Sequence, residues 1–390
     1  MNWALVPIDC IKAVGRYSLV GGPFGSNLTT RDYVDEGVPV IRGVNLPDNS
    51  SFADDEFVFV RDDKADELLP NNAFPGDVVF TQRGTLGQVG LIPQEARFSR
   101  YVISQSQMKL TTDPEKAEAR FVYYFFRAPT TVQMVKNHAL TSGVPHINLE
   151  ILKNFEIPLP ALAIQRQVVN VLSSYDDLIE NNRRRMELLE EAARQLYREW
   201  FVRLRFPGRE HTRIINGVPK GWERTAFENA LVLQRGFDLP IQAREDGDVP
   251  VYGSTGVNGF HNKAKVQGPG VVTGRSGTLG EVHYVPRDFW PLNTALWVKE
   301  FKTVTPLFAF FLLREMDLRQ YNGGVSVPSL DRKAVHRVEI LFPPKKLIAI
   351  FDEFASPLFT QIENLRSQNE KLRAARDLLL PRLMNGEIAV

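Results

Sequence analysis

Between residues 161 and 206, apolar or small side chains recur in steps of three and four. Side chains at that spacing share one face of an α-helix, and the pattern predicts a helix that packs lengthwise on a partner helix. Ser174 resembles an N-cap, so we expect a short helix near 161–172, a long helix from Tyr175, and an end at Pro207. The predicted seam consists of Val168, Val171, Tyr175, Leu178, Ile179, Met186, Leu189, Ala193, Leu196 and Trp200.

A second segment, residues 344–390, follows the same plan. Ser356-Pro357 lies where Ser174-Tyr175 lies in the first segment, and proline is tolerated at a first helical position because its missing N–H would be unpaired there. Pro381 predicts an early end for this helix. The second seam consists of Leu347, Phe351, Phe354, Leu358, Ile362, Leu365, Leu372, Leu379 and Leu383.

Upstream of each long helix, short β-like runs alternate with turns rich in Gly, Pro and Asn. In the first half we predict strands over 38–41, 57–60, 77–81 and 88–92 and a helix over 117–127. In the second half we predict strands over 249–252, 271–273 and 281–285 and a helix over 306–316. Each half is therefore predicted to be an α+β domain followed by a long helix.

The two halves share landmarks in the same order. Ile157-Pro158-Leu159-Pro160 and Ile340-Leu341-Phe342-Pro343 lie 183 positions apart, as do Val144-Pro145 and Val327-Pro328. Gly84-Thr85-Leu86-Gly87 recurs 193 positions later, Val38-Pro39-Val40 recurs 211 positions later, and Trp3 recurs 219 positions later as Trp222. The falling offset indicates a tandem duplication whose second copy has shorter loops.

The duplication predicts an α+β fold with four segments. These are a first domain over 1–158, a central helical spacer over 159–206, a second domain over 207–341 and a C-terminal helical spacer over 342–390. Burial of both apolar stripes predicts that the two helices pack as an antiparallel coiled coil with pseudo-two-fold symmetry, which would separate the domains by about 35–45 Å. One turn of B-DNA is about 34–36 Å, the spacing at which two-fold proteins present two readers to one duplex.

Composition narrows the class of protein. The chain has 390 residues, 43% hydrophobic and 24% charged, as expected for a soluble globular protein with two cores. A single cysteine, Cys10, excludes an internal disulfide, the N-terminus lacks the pattern of a signal peptide, and the longest apolar block, 307–313, is too short to cross a bilayer. We therefore expect a cytoplasmic protein. A net charge of +1 argues against a non-specific nucleic-acid coat and leaves room for local basic patches.

Each half contains a glycine-rich hairpin, over 78–89 and over 271–282. A phosphate-binding P-loop would lead into a helix and carry Gly-Lys-Ser/Thr, whereas these segments return into strands, so the glycines favour tight turns. Arg83 and Arg275 flank the turns, and arginine suits bidentate contact with guanine or phosphate. Other turn residues with hydroxyl, amide, imidazole, phenol or ammonium groups are candidates for contact with DNA, although such groups are also the usual composition of solvated loops. The candidates are Gln82, Thr85, Gln88, Ser104, Gln105, His138, Ser142, His146, Tyr252, Ser254, Lys263, Ser276, Thr278, Asn293, Asn322 and Ser326.

Signals of catalysis are weak. The six histidines show no metal-binding spacing, there is no GxSxG motif, and the glycine pattern of a cofactor-binding methyltransferase is missing. Pro47-Asp48 followed by Asp62-Asp63-Lys64 resembles a degenerate nuclease pattern, but it has no counterpart in the second half. The run Arg183-Arg184-Arg185 is typical of a solvated helix face.

With these features, the whole chain resembles the specificity subunit of type I restriction–modification systems. The resemblance rests on the duplicated order of domain and helix, on 157–162, on Val218-Pro219-Lys220-Gly221-Trp222, on Gly22-Pro23-Phe24-Gly25-Ser26, and on the tail 379–388. The chain departs from the family at Ile164-Gln165 and Leu347-Ile348, where the family tends to place Glu-Gln.

The resemblance implies two target-recognition domains, each reading one half of a bipartite site in double-stranded DNA. It implies that the helices set the gap between the half-sites and bind two methyltransferase subunits, and that ATP-dependent restriction subunits join the complex. S-adenosylmethionine and ATP would belong to those partners, and no cofactor is expected for this chain. Two alternatives stay open: a self-contained methyltransferase or nuclease, which would turn over DNA without partners, and an adaptor that binds only proteins.

Overall fold

The structure is a computed structural model that describes residues 3–139 and 145–389. The chain divides into two compact units. The first unit comprises Met1–Asn182 and Gln368–Val390, and the second comprises Arg183–Ser367. Each unit therefore contains one half of the sequence repeat together with part of both long helices.

The α-helices of the described residues are α1 (Ile8–Ile11), α2 (Asp62–Glu67), α3 (Ala119–Arg127), α4 (Pro129–Asn137), α5 (Leu149–Lys153), α6 (Leu162–Tyr197), α7 (Pro306–Glu315), α8 (Arg332–His336) and α9 (Lys345–Met384). A π-helical turn, Arg198–Val202, continues α6. Helix α7 begins as its sequence predicts, because Pro306 is its first residue and the Thr305 side chain accepts a hydrogen bond from the Phe308 N–H. None of the helices in the described part of the chain has the length and apolar character needed to span a membrane.

The strands of the first unit are β1 (Leu5–Pro7), β2 (Leu19–Gly21), β3 (Tyr33–Val34), β4 (Val38–Ile41), β5 (Val58–Val60), β6 (Asn72–Ala73), β7 (Val78–Thr81), β8 (Val89–Leu91), β9 (Tyr101–Ile103), β10 (Gln107–Leu110) and β11 (Glu156–Pro158). Those of the second unit are β12 (Ile214–Ile215), β13 (Val218–Pro219), β14 (Glu223–Ala226), β15 (Leu231–Arg235), β16 (Val249–Gly253), β17 (Gly256–His261), β18 (Gly270–Gly274), β19 (Val282–Val285), β20 (Trp290–Pro291), β21 (Ala295–Phe301) and β22 (Glu339–Phe342).

The two units repeat one sheet topology. A four-stranded antiparallel sheet has the order β2-β10-β7-β8 in the first unit and β15-β21-β18-β19 in the second. Each unit also has a parallel strand pair in a separate sheet, β4 with β9 in the first unit and β16 with β20 in the second. The strand before each long helix pairs with an early strand of the same unit, β11 with β1 and β22 with β14. The predicted tandem α+β duplication is confirmed. The predicted strands and the two predicted domain helices are also confirmed, with bounds that differ by one or two residues.

Each unit buries an apolar core between its sheets and its helices. In the first unit the aromatic face of α3, with Phe121 and Phe126, packs with Val168 and Leu172 of α6 and Leu383 of α9. In the second unit Phe308 and Phe311 of α7 pack with residues of the same two long helices, including Tyr197 and Phe351. Burying these rings removes apolar surface from water and fixes each sheet against its helices.

Within each unit, α6 and α9 run antiparallel. In the first unit Asp176 accepts a bond of 2.6 Å from Arg376, while Asn182 donates a bond of 2.9 Å to Asn369, so partner numbers fall as α6 numbers rise. In the second unit the Trp200 ring lies 5.9 Å from that of Phe354, whereas Arg366 lines the same groove as Arg183. The antiparallel pairing of the two helices is therefore confirmed inside both units.

The predicted break at Ser174 is wrong. This residue lies inside α6, and its hydroxyl donates 2.7 Å to the Asn170 carbonyl, the i−4 bond that serine makes within a helix. Pro357 and Pro381 also lie inside α9, which continues to Met384, so neither residue bounds that helix. Packing along the seam outweighs these local signals.

Two seam predictions are wrong as well: Val171 and Phe354 are 36% and 57% exposed, and of the alternatives Leu178 and Ile179 only Ile179 reaches the seam, because Leu178 is 51% exposed. Their neighbours Leu172, Ile179 and Ala355 take the buried places. Consecutive residues on a helix do not share a face, so only one of each adjacent pair reaches the seam.

Candidate nucleic-acid interface

The two glycine hairpins have the same backbone. Gly84, Gly87, Gly277 and Gly280 all adopt left-handed φ values, of 97°, 91°, 84° and 91°. An L-residue with a side chain is strained there, so glycine is required for the turn itself. The interpretation of these glycines as turn formers rather than a phosphate cradle is supported.

Two other segments close on each hairpin through matching backbone hydrogen bonds. In the first unit the Gln82 N–H donates to the Ser106 carbonyl at 2.7 Å, and Gln82 accepts from the Ile147 N–H at 3.0 Å. In the second unit the Arg275 N–H donates to the Thr294 carbonyl at 2.9 Å, and Arg275 accepts from Leu330 at 2.8 Å. The positions equivalent to Gln82 and Arg83 are therefore Arg275 and Ser276.

A third segment, the loop that leaves the first strand of each four-stranded sheet, is tied to the same place by an amide side chain. Gln105 Nε2 donates to the carbonyls of Gly25 and Leu28 at 2.5 and 2.6 Å. Asn293 Nδ2 donates to the Asp238 carboxylate. We call residues 22–28, 82–88, 104–106 and 145–147 the first loop cluster, and residues 236–238, 275–281, 292–294 and 328–330 the second loop cluster.

The side chains of Arg83 and Arg275 differ in exposure and in their hydrogen bonds within the protein. Arg83 is exposed at the tip of the first cluster. Arg275 is half-buried, and its Nε donates 2.8 Å to the Asn293 carbonyl, which fixes part of its guanidinium within the second cluster. Both could contact DNA with their remaining N–H groups, since guanidinium has five donors. Thr85 and Thr278 are exposed on the same turns, and Ser276 is half-buried beside Ser329.

Several other predicted contacts already have partners within the protein. Gln88 Oε1 accepts from the Thr81 hydroxyl at 3.4 Å, and the Ser104 hydroxyl bonds to Gln107. Asn322 Oδ1 accepts from the N–H groups of Gly324 and Ser329 at 3.0 and 2.9 Å, which closes the loop that contains exposed Ser326. These side chains shape the clusters, and any contact with a base would be in addition to that role.

The predicted histidines of the first unit separate. His146 pairs through its backbone with Arg83 and belongs to the first cluster. His138 ends α4, where its Nδ1 lies 2.8 Å from the Met134 carbonyl, in a groove also lined by Trp3 and Asn385. Ser142 lies outside the described residues.

Two predicted contacts of the second unit are not exposed residues of the second loop cluster. Tyr252 is only 9% exposed and packs its ring against Phe289 and His283, and burial raises the pKa of its phenol. This position is that of a core residue. Lys263 is exposed after β17, in a separate sheet, whereas Ser254 is brought to the second cluster because its carbonyl lies beside Gly274.

Two of the residues that resemble a nuclease pattern, Asp63 and Lys64, are engaged in surface ion pairs. Asp63 accepts from Arg61 at 3.1 Å, and Lys64 pairs with Glu67 at 2.9 Å. The hydrogen bond from Arg61 lowers the pKa of the Asp63 carboxyl. Over residues 3–139 and 145–389, no group of three or more His, Cys, Asp or Glu side chains is placed to hold a metal ion.

Sequence reasoning missed the acceptors that assemble the clusters. The carbonyls of Ser106 and Thr294 are equivalent, and each receives the N–H groups of two successive hairpin residues. Nothing in a local pattern marks a carbonyl as such an acceptor, although the offset of the repeat relates the two positions once the strands are paired.

Fold and site together define a class: a tandem α+β protein that builds the same surface loop cluster twice, each time on a domain packed against antiparallel helices. A family model for the type I restriction modification DNA specificity domain matches residues 38–191 and 235–372. The chain belongs to this family. It is a specificity subunit of the type I restriction–modification class, with a role in DNA sequence recognition rather than catalysis.

Individual relatives are similar over most of their length. The type I restriction enzyme MjaIX specificity subunit of Methanocaldococcus jannaschii is 25% identical over 81% of this chain and 79% of the relative. The putative MjaX specificity subunit of the same organism is 21% identical over 94% and 91%. The crystal structure of a type I restriction–modification S subunit from M. genitalium has a TM-score of 0.57 at 18% identity and covers 98% of this chain and 96% of that one, which shows a shared fold.

Proposed function

We propose that this chain reads a bipartite site in double-stranded DNA. A domain over residues 1–158 reads one half-site through the first loop cluster, and a domain over residues 207–341 reads the other through the second. The observation that carries the proposal is the duplication of the cluster itself: in both units two segments close on the glycine hairpin, and the loop that leaves the first strand bonds to one of those segments, through equivalent backbone hydrogen bonds. Two copies of one reading surface fit two half-sites, while their different side chains fit two different sequences.

Contacts to phosphate supply affinity and contacts to base edges supply specificity. Arg83 is the leading candidate for direct contact in the first cluster because it is exposed and lies beside exposed Thr85. In the second cluster we assign contact with DNA to Arg275, which occupies the position of Gln82, and to Thr278, the equivalent of Thr85. Binding should weaken steeply with salt, because each neutralised phosphate releases counterions.

The long helices are proposed to set the gap between the half-sites and to bind two methyltransferase subunits, with ATP-dependent restriction subunits joining that complex. Support comes from large apolar side chains that the helices leave exposed. Leu188 and Leu378 are 70% and 73% exposed, and Phe354 is 57% exposed. These side chains are available to the apolar surface of a partner, and contact with it would remove them from water.

Selection of binding sites from random duplex DNA tests the proposal. The tagged full chain, with the subunits that co-purify with it, should enrich two short conserved blocks separated by a constant number of unconserved base pairs. One continuous block would contradict the bipartite reading, and no enrichment at all would contradict DNA recognition by these clusters.

The role of Arg83 is tested with a matched control. Arg83→Ala should broaden one block if the guanidinium contacts a base, or lower the salt slope of binding by about one if it contacts a phosphate. Lys346→Ala, an exposed cation in the first turn of α9, should change neither. Equal behaviour of the two variants would remove Arg83 from the interface.

A further inference from the structure

The loop that follows β2 displays a phenylalanine to solvent. Phe24 is 90% exposed, and its neighbours Gly25, Ser26 and Asn27 are exposed as well. Solvent exposure leaves the ring's apolar surface in contact with water, so a free phenylalanine at a loop tip contributes nothing to folding by burial. The ring is therefore available to a partner outside the chain.

The loop beneath Phe24 is built rather than slack. Residues Gly25–Asn27 form a 3₁₀ turn, and the next turn is closed by a capping box in which the Thr29 N–H donates to the Asp32 carboxylate at 2.7 Å. Hydrogen bonds from the Thr29 backbone and side chain lower the pKa of the Asp32 carboxyl. Gln105 adds its two hydrogen bonds to the carbonyls of Gly25 and Leu28. The ring is thus held at the end of an ordered support.

This support is part of the first loop cluster. The Gly22 N–H donates to the Gln107 carbonyl at 2.7 Å, and a side chain at Gly22 would collide with the Ser104 carbonyl. The same turn receives the hairpin's Gln82 and Arg83 through the Ser106 carbonyl. Phe24 and Arg83 are therefore displayed by two loops that are bonded to one short turn.

The second unit differs at this position. A side chain at Gly236 would collide with the Leu292 carbonyl, just as one at Gly22 would collide with the Ser104 carbonyl. Gly236 is therefore the equivalent of Gly22, and Asp238, two residues later, is the equivalent of Phe24. The second unit's own loop aromatic, Phe237, precedes it and packs on Trp290 and Trp297, with Lys265 above its ring. An exposed aromatic at the tip is consequently a property of the first cluster and not a by-product of the shared fold.

We propose that Phe24 is an apolar wedge that enters a base step of the first half-site, and this inference rests on the proposed function of the first loop cluster as a DNA reader. Phenylalanine side chains inserted between bases partly unstack them and bend the duplex, and bases stack on aromatic rings. The flanking Arg83 would hold the backbone or a base edge while the ring occupies the opened step. The second half-site, faced by Asp238, lacks this wedge.

The test uses the tagged full chain with its co-purifying subunits and a duplex carrying the sequence that wild type selects from random DNA. Phe24→Ala should weaken binding to that duplex by about tenfold or more, while binding to random duplex stays within about twofold. Phe24→Leu, another residue that wedges base steps, should recover most of the affinity. Val14→Ala is the control, since Val14 is 95% exposed beyond the far end of β10, where Ala13 bonds to Thr111.

Fluorescence of 2-aminopurine, placed at successive positions of the first half-site, reports unstacking directly. Wild type should raise the emission at one step, and Phe24→Ala should abolish that rise. Wild-type affinity and wild-type fluorescence in Phe24→Ala would overturn the wedge and leave the DNA reader intact. Loss of a co-purifying subunit in the variant, with DNA contacts preserved, would assign Phe24 to a protein interface and overturn the inference. A wild-type complex that selects no DNA would overturn the proposed function and the wedge with it.

Discussion

An asymmetric response to leucine substitution is predicted for the buried amide pair in the first unit's helix seam. Asn182 and Asn369 are 7% and 2% exposed. Asn182 Nδ2 donates 2.9 Å to Asn369 Oδ1, and Asn369 Nδ2 donates 3.0 Å to the Ile179 carbonyl. A paired asparagine inside a helix seam fixes the register of the two helices at a cost in stability.

The magnitudes follow from which polar atoms lose partners. Asn369→Leu removes both hydrogen bonds and leaves the Asn182 amide buried without an acceptor, which costs about 1–3 kcal/mol before the gain from the new apolar side chain. Asn182→Leu removes one bond and should cost less. The double variant leaves neither amide behind and should be as stable as wild type or more stable, so the two substitutions couple by about 1–2 kcal/mol.

Amide hydrogen exchange of α6 and α9 peptides around these residues measures the effect locally, which suits a chain of two units. Asn369→Leu should speed exchange by about 5- to 30-fold, and the double variant should restore the slow rate. Asn181→Leu, on the exposed face of the same helix turn, controls for helix propensity. Additive effects of the two buried substitutions, or slow exchange in Asn369→Leu, would refute the assignment of a coupled pair.

Three further predictions concern the helices. Burial raises the pKa of the Asp352 carboxyl above its ordinary 3.8, so this group favours folding while it is protonated and that contribution is lost as pH rises through the folded pKa. Asp352→Asn should therefore melt at a higher temperature than wild type at pH 7 and at the same temperature near pH 3, whereas a lower melting temperature of the variant at pH 7 would contradict this. Arg376→Met should destabilise the first unit by about 1–3 kcal/mol, because it leaves the Asp176 carboxylate without its cation. Asp176 also accepts a hydrogen bond from Tyr124 of α3, so unchanged hydrogen exchange in α3 would contradict this. Insertion of whole helical turns into both α6 and α9 should lengthen the gap in the selected DNA site and leave both blocks unchanged, whereas altered blocks with a constant gap would contradict a spacing role.

Local signals predicted the repeated elements well. The hairpins were predictable because left-handed turns require glycine at fixed places, and Gly84-Thr85-Leu86-Gly87 recurs intact as Gly277-Thr278-Leu279-Gly280. The strands and α3 and α7 were predictable because short apolar runs lie between clear turn signals. The order of these elements then predicted the tandem fold.

Signals that depend on tertiary packing were misread. Ser174 has the side chain of an N-cap, Pro357 was predicted to begin a helix and Pro381 to end one, yet α6 and α9 continue through these positions because their long apolar faces are buried. The role of Gln165 could not be predicted from local sequence: it is fully buried and bonds to the backbone of Glu118, Lys116 and Pro160, of which the first two lie more than 45 positions away.

The candidate interface was predictable as a set of loops but not residue by residue. Gln105 and Asn293 were predicted to contact DNA as amides in turns, and the structure shows that each ties the loop after the first strand of the four-stranded sheet to its own turn. The tether of Gln105 spans about 80 positions of sequence, which no local pattern can reveal. Phe24, by contrast, stood in a recognisable motif, and only its exposure reveals it as a candidate contact.

Methylation mapping of a genome in cells that carry the complex tests the central claim most directly. Wild type should give one bipartite motif, and replacing the exposed first-cluster residues by Arg83→Ala/Thr85→Ala should broaden one block of that motif while leaving the other block and the gap unchanged. A continuous motif, or a variant that alters both blocks together, would contradict the reading of each half-site by its own loop cluster.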